Sequence, residues 1–188
     1  MLSNKYYSNK LMKPISSFLL ILSLTLPAIF SGCTSSLFNA RAKQPYRYEL
    51  KYGESVILRN GYAVAPRHAP QAVHQIIAAG NRIKGFPYKL GGGHRRIDDN
   101  GYDCSGAVSY VLIKSGLLNN SLTSKGFKKY GRRGKGDWVT IYSKSGHTFL
   151  VVGGLRFDTG YNGEGRGPKW TINDRPTRGH VMRHPVAL

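Results

Sequence analysis

Apolar residues between positions 69 and 118 recur at helical spacing, whereas from 136 onward they come in short runs separated by glycine and proline. That single change of period constrains the fold more than any other feature. "APQAVHQIIAAGNRIKG" sets Ala69, Val73, Ile76, Ile77 and Ile83 on one face, with Gly80 or Gly85 to end the helix. In "DCSGAVSYVLIKSGLL", Asp103 is a favoured N-cap, and Ala107, Val108, Val111, Leu112 and Leu117 form the buried stripe. Gly116 is the natural stop. Strands are then expected at 136–143, 147–154, 155–160 and 177–185. Helices first and an antiparallel sheet afterwards specify an α+β fold.

The N-terminus is read as a targeting segment. Lys5, Lys10 and Lys13 precede the apolar run "ISSFLLILSLTLPAIF", and "SGC" follows it. The run has about 16 residues, short of the ~20 that span a bilayer, and Pro27 interrupts it. "FSGC" resembles a bacterial lipobox, which makes Cys33 the lipidated residue and holds the chain on a membrane of the cell envelope. Ser35 suits outer-membrane sorting in a Gram-negative host. The expected organisation is a signal peptide over 1–32, a tether over 33–45, a short β extension over 46–68 with a hairpin at Asn60–Gly61, and one domain over 69–188.

Cleavage before Cys33 removes three lysines and no acid, leaving 25 basic and 9 acidic residues, a formal charge of +16. Such a charge favours polyanionic neighbours. For an exported chain these are lipid head groups, wall polymers and peptide carboxylates, and nucleic acid is excluded. The one dense basic run, "KGFKKYGRRGKG" at 125–136, is read as a solvated loop. The chain is expected to be a monomer.

Export also sharpens the cysteine arithmetic. The chain has two cysteines, so with Cys33 carrying lipid Cys104 has no partner. A helix N-terminus stabilises an anion through its unpaired N–H groups and aligned dipoles, and the thiolate is the reactive form of cysteine. A histidine nearby then serves as base and later as proton donor. His147, at the mouth of the strand "TFLVV", is the leading candidate, with His94 in the glycine-rich loop as a rival. His180 and His184 are weaker, and His74 on the first helix is assigned no role. The histidines and cysteines lack compact metal-ligand spacing, so neither metal nor other cofactor is expected.

Together, "FPYKLGGGHRRIDDNGYDCSGAVSYVL" and "GDWVTIYSKSGHTFLVVGGLRFDTG" resemble the NlpC family of papain-like cell-wall cysteine peptidases. The shared marks are an aromatic "PY" loop followed by glycines, "DCSG" opening a helix, "GD" starting a strand and "GH" starting the next. The resemblance implies hydrolysis of peptidoglycan stem peptides, typically between γ-D-glutamate and a diamino acid. Cys104 matches the nucleophile and His147 the base. Tyr88 matches an aromatic beside the nucleophile, and Asp103 and Ser105 match residues that in some members hold the substrate's amino end. At the third catalytic position the family places His, Asn or Gln; here Asp158 falls there after a shortened turn, and Thr159 without it. Two other readings stand beside this one: an amidase or acyltransferase with the same dyad, and a non-catalytic lipoprotein that binds wall polymer.

Overall fold

The structure is a computed structural model, and it describes residues 45–50, 53–161 and 163–188. The expected signal segment and Cys33 lie outside the described residues. The elements in chain order are β1 (Ile57–Arg59), β2 (Tyr62–Val64), α1 (Gln71–Ile83), α2 (Cys104–Lys114), α3 (Ser124–Phe127), β3 (Arg132–Arg133), β4 (Val139–Lys144), β5 (His147–Val152), β6 (Leu155–Asp158), β7 (Lys169–Thr171) and β8 (Val181–His184). This is the α+β arrangement implied by the NlpC-type resemblance, with the cysteine as the first residue of a helix.

β4, β5 and β6 form the expected antiparallel meander, within a six-stranded sheet ordered β3-β8-β4-β5-β6-β7. Two edge strands were not foreseen. β7 follows glycine-rich sequence and has three residues; β3 has two, and it falls within the basic run read as a loop. α3 also lies in that run, with Thr123 as its cap. A strand of two or three residues leaves almost no alternation to read, so its pairing is set by tertiary contacts.

α1 starts and ends within two residues of expectation. Gly80 does not end it: a Cβ there would stand 2.6 Å from Trp170 Cζ2, so the glycine lets the helix lie against β7. The hairpin turn is as expected, with Asn60 at φ 49° and Gly61 at φ 77°, the backbone of a two-residue turn with both central φ angles positive. The extension it belongs to packs into the domain, since Val56 joins the main core.

One face of the sheet meets the helices. Val139, Ile141, Leu150, Val152, Leu155 and Phe157 are buried there with Val73 and Ile76 of α1 and Val108, Val111 and Leu112 of α2. Each large side chain contributes about 1.5–3 kcal/mol on burial. Because strand side chains alternate, the same strands turn Tyr142, Phe149 and Val151 to the other face, where Tyr46 packs on them. His147 and Asp158 share that alternation with Phe149 and Arg156, so the two polar residues emerge from the face opposite the helical core.

Candidate active site

The site is assembled at the start of α2. Asp103 caps the helix, its Oδ1 accepting from the Gly106 amide at 2.7 Å. The glycine loop wraps this first turn: Gly91 N donates to Asp103 Oδ2 at 3.0 Å, and Asp103 N donates to the Gly92 carbonyl at 3.3 Å. A Cβ on Gly106 would collide with the Gly92 carbonyl oxygen. The close approach suggested by three consecutive glycines is therefore an approach to the helix that carries the thiol. Tyr88 pairs with Tyr102 in a parallel bridge, which ties the aromatic loop to the residue before the cap.

Cys104 is a free thiol, 8% exposed. The ring of His147 hydrogen-bonds Asp158, and Cys104 stands close enough to favour the ring's charged form. His147 Nε2 lies 3.0 Å from Asp158 Oδ1, which leaves Nδ1 as the nitrogen for the thiol. Burial opposes the charged imidazole. The Asp158 hydrogen bond, the nearby Cys104 side chain and the Asp158 charge outweigh it, and the pKa of His147 is raised. Of the two candidates for the third position, Asp158 touches the imidazole. Thr159 instead donates its backbone N–H to Asp158 Oδ1 at 2.7 Å.

Behind Asp158 stand two arginines that sequence reasoning missed. Arg175 Nη1 donates to Asp158 Oδ2 at 2.8 Å and to the Gly160 carbonyl at 2.9 Å. Arg156, fully buried, brings Nη1 to 3.5 Å from the same Oδ2 while its Nη2 forks onto Glu164 at 2.7 Å. Asp158 is 2% exposed, and the two guanidinium groups supply the polar partners that a buried carboxylate requires. Alternation of Arg156 with apolar residues in "LRFD" was the one signal available. Nothing in "INDRPTR" marks Arg175 as a residue that folds back onto β6.

The remaining histidines separate clearly. His94 Nε2 contacts Asp103 Oδ1 at 3.0 Å and Ser105 Oγ at 3.1 Å, and its Nδ1 is 2.7 Å from Ser121 Oγ. Ser105 itself donates to Asp103 at 3.0 Å. Thus Asp103 and Ser105, which flank Cys104 in the chain, are brought together and both contact His94. His180 is buried against the active-site ring, at 6.3 Å between centroids and nearly perpendicular. Burial, with Lys144 nearby, pushes its pKa down to about 4, so it stays neutral. His184 contacts the Pro185 and Leu188 carbonyls, and His74 is exposed on α1.

A pocket of about 260 Å³ opens beside this cluster, lined by Tyr88, His147, Thr159, Gly160, Arg166 and Arg175. Burial, then the nearby Cys104 and Asp103, raises the pKa of the Tyr88 phenol, and Arg166 opposes the shift. Tyr88 therefore keeps its proton and faces the pocket as a donor.

No family model and no curated protein matches this sequence. Among solved structures, the peptidoglycan hydrolase RipB from Mycobacterium tuberculosis is similar at 22% identity and a TM-score of 0.47, over 61% of this chain and 64% of that one. The match thus spans less than two thirds of RipB's own length. A lipoprotein-like protein of the NLP/P60 family from Staphylococcus aureus is similar at 18% identity and a TM-score of 0.41, over 63% of this chain and 42% of that one. A mutant of the Resuscitation Promoting Factor Interacting protein RipA is 22% identical at a TM-score of 0.43, over 70% of each chain. These likenesses are too distant to assign chemistry, which is read from the side chains of the site itself.

Proposed function

We propose that this protein is a cysteine peptidase of the cell envelope that cleaves peptidoglycan stem peptides, at the bond between γ-D-glutamate and the following diamino acid. One observation carries the reading: His147 is hydrogen-bonded to the buried carboxylate of Asp158 and stands near enough to the Cys104 thiol, at a helix N-terminus, for the two to interact. A structural cysteine has no use for such a neighbour.

The chemistry follows from the roles these groups would take. The Cys104 thiolate attacks the scissile carbonyl, and the C–S bond forms as the carbonyl π electrons move to oxygen. The oxyanion sits against backbone N–H at the open end of α2, with Tyr88 as a neighbouring donor. Collapse of the intermediate breaks the C–N bond, and the imidazolium of His147 gives its proton to the departing amine. Water then attacks the thioester, His147 takes the water's proton, and the carboxylic acid product leaves as the thiolate is restored. Asp158 holds the ring in the tautomer and orientation that both transfers require. Arg175 and Arg156 hold Asp158 in place. With Cys33 lipidated, the enzyme works tethered to the membrane and acts on wall within reach.

Asp103 and Ser105 bear on substrate choice. Both already hydrogen-bond His94, so a substrate ammonium has to displace that imidazole. This favours stems whose amino end is still joined to the glycan over released peptides with a free amine.

The test is digestion of purified peptidoglycan and its soluble fragments by the protein, read by mass spectrometry beside Cys104→Ala. Products cut at the γ-glutamyl bond, absent with Cys104→Ala, support the proposal. Cleavage of the muramoyl–alanine amide makes it an amidase instead, and binding with no cleavage by either protein makes it a non-catalytic wall-binding lipoprotein.

A further inference from the structure

The loop between β6 and β7 is held by its own acids and carbonyls, yet it delivers one cation with no acid of its own. Glu164 is fully engaged: it takes the Arg156 fork, the Tyr161 amide at 2.9 Å and Asn173 Nδ2 at 3.0 Å. Lys169 Nζ is turned inward onto the Glu164 carbonyl and onto the Gly165 carbonyl at 2.9 Å. Gly167 N returns to the Thr159 carbonyl at 3.2 Å, and a side chain at Gly167 would strike the Phe86 carbonyl oxygen. Arg166 follows one and precedes the other of these anchored glycines in the chain. It lines the pocket with Tyr88 and His147, is exposed, and no described residue forms an ion pair with it.

The other guanidinium of that pocket is spoken for, since Arg175 is bound to Asp158 and Gly160. A cation that lines a pocket and has no ion-pair partner among the described residues suits an anion. We infer that Arg166 is a specificity residue: it receives a carboxylate borne by one of the two residues that flank the scissile amide. The planar fork of arginine suits a carboxylate in two-point contact, which a lysine at the same place cannot reproduce. Tyr88 lines the same pocket, and its phenol supplies a further donor. The inference rests on the hydrolase reading and extends it to which flanking groups the enzyme selects.

The experiment uses a γ-D-glutamyl–diaminopimelyl stem peptide and two relatives, one amidated at the glutamate α-carboxyl and one at the diaminopimelate α-carboxyl. The kcat/KM of each is measured with the wild-type chain, Arg166→Gln and Arg166→Lys. One of the two amidations should cost the wild type about tenfold to hundredfold, the usual worth of a charged hydrogen bond. Arg166→Gln should erase that discrimination while cleaving the amidated peptide as well as wild type does, and Arg166→Lys should restore only part of it. Discrimination that survives in Arg166→Gln, or equal loss on all three peptides, overturns the assignment. Binding of the same peptides to Cys104→Ala, with and without Arg166→Gln, separates the two readings. A binding ratio that depends on Arg166 without cleavage by the wild type keeps the carboxylate site and sinks the hydrolase; cleavage with no such ratio does the reverse, and neither overturns both.

Discussion

Two histidine–carboxylate pairs lie near Cys104, each with Nε2 at 3.0 Å from an aspartate Oδ1, yet the proposed mechanism gives proton transfer to only one of them. The difference lies in the second ring nitrogen. In His94, Nδ1 is occupied by the Ser121 hydroxyl at 2.7 Å, so the ring is tied at both ends. In His147, Nδ1 is left for the thiol. The carboxylates differ as well. Asp103 spends its oxygens on capping α2 and on the glycine loop, whereas Asp158 is sunk between two arginines that have no other nearby acid except Glu164. One contact distance thus occurs in two settings: in one pair beside a helix cap, in the other at the ring proposed as the base.

The sharpest way to break this contrast is to remove each ring in turn. His147→Ala should lower cleavage by about 10³-fold or more, as loss of a triad base does, while His94→Ala should stay within about tenfold on stems joined to glycan. Steady-state rates on one substrate decide it, and the reverse ranking would exchange the roles of the two histidines. On peptides with a free amino end, His94→Ala should gain activity, because Asp103 and Ser105 are then open.

Next in size is Asp158→Asn, which leaves Arg175 and Arg156 without their shared anion. Breaking a buried pair of this kind costs about 3–5 kcal/mol, visible as a lower urea midpoint. The same change removes what raises the His147 pKa, so the alkaline limb of the pH–rate profile should move to lower pH. An unmoved limb would mean that Asp158 does not orient the ring.

A smaller effect concerns pH and stability. The folded pKa of His147 lies above its unfolded value of about 6.5, so its contribution is fully present below that pH. It is lost as pH rises from there through the folded value. Wild-type stability should decline across that window and that of His147→Asn should not, as followed by urea unfolding at a series of pH values. Smallest is Asp103→Ala, expected to cost about 1–2 kcal/mol as the loss of an N-cap, with the glycine loop loosened beside it.

Much of this contrast was legible before any coordinates. The cap at Asp103, the thiol at the first helical position and the strand mouth at His147 follow from local rules of spacing and capping, and the structure reproduces them. Asp158 was reachable only by allowing a shorter turn, and Gly153 and Gly154, both at positive φ, supply it. What stayed hidden is nonlocal. Arg175 reaches Asp158 only because residues after β7 double back to pair with Tyr46, and Tyr46 sits in a stretch assigned to a separate extension. The engagement of His94 with Ser121 joins residues 27 positions apart with no periodicity between them. The basic run gave no hint of α3 or β3, since its lysines and arginines suit a loop, a short helix or an edge strand equally.

The central claim, that His147 and not His94 activates Cys104, can be tested without knowing the substrate. The rate of iodoacetamide alkylation at pH 7 is measured on the peptide containing Cys104, by mass spectrometry, for the folded wild type, His147→Ala, His94→Ala and the urea-unfolded chain. The account predicts the fastest reaction in wild type and His94→Ala, with His147→Ala slower by at least about tenfold. Equal rates in wild type and His147→Ala, or a folded thiol slower than the unfolded one, would contradict it.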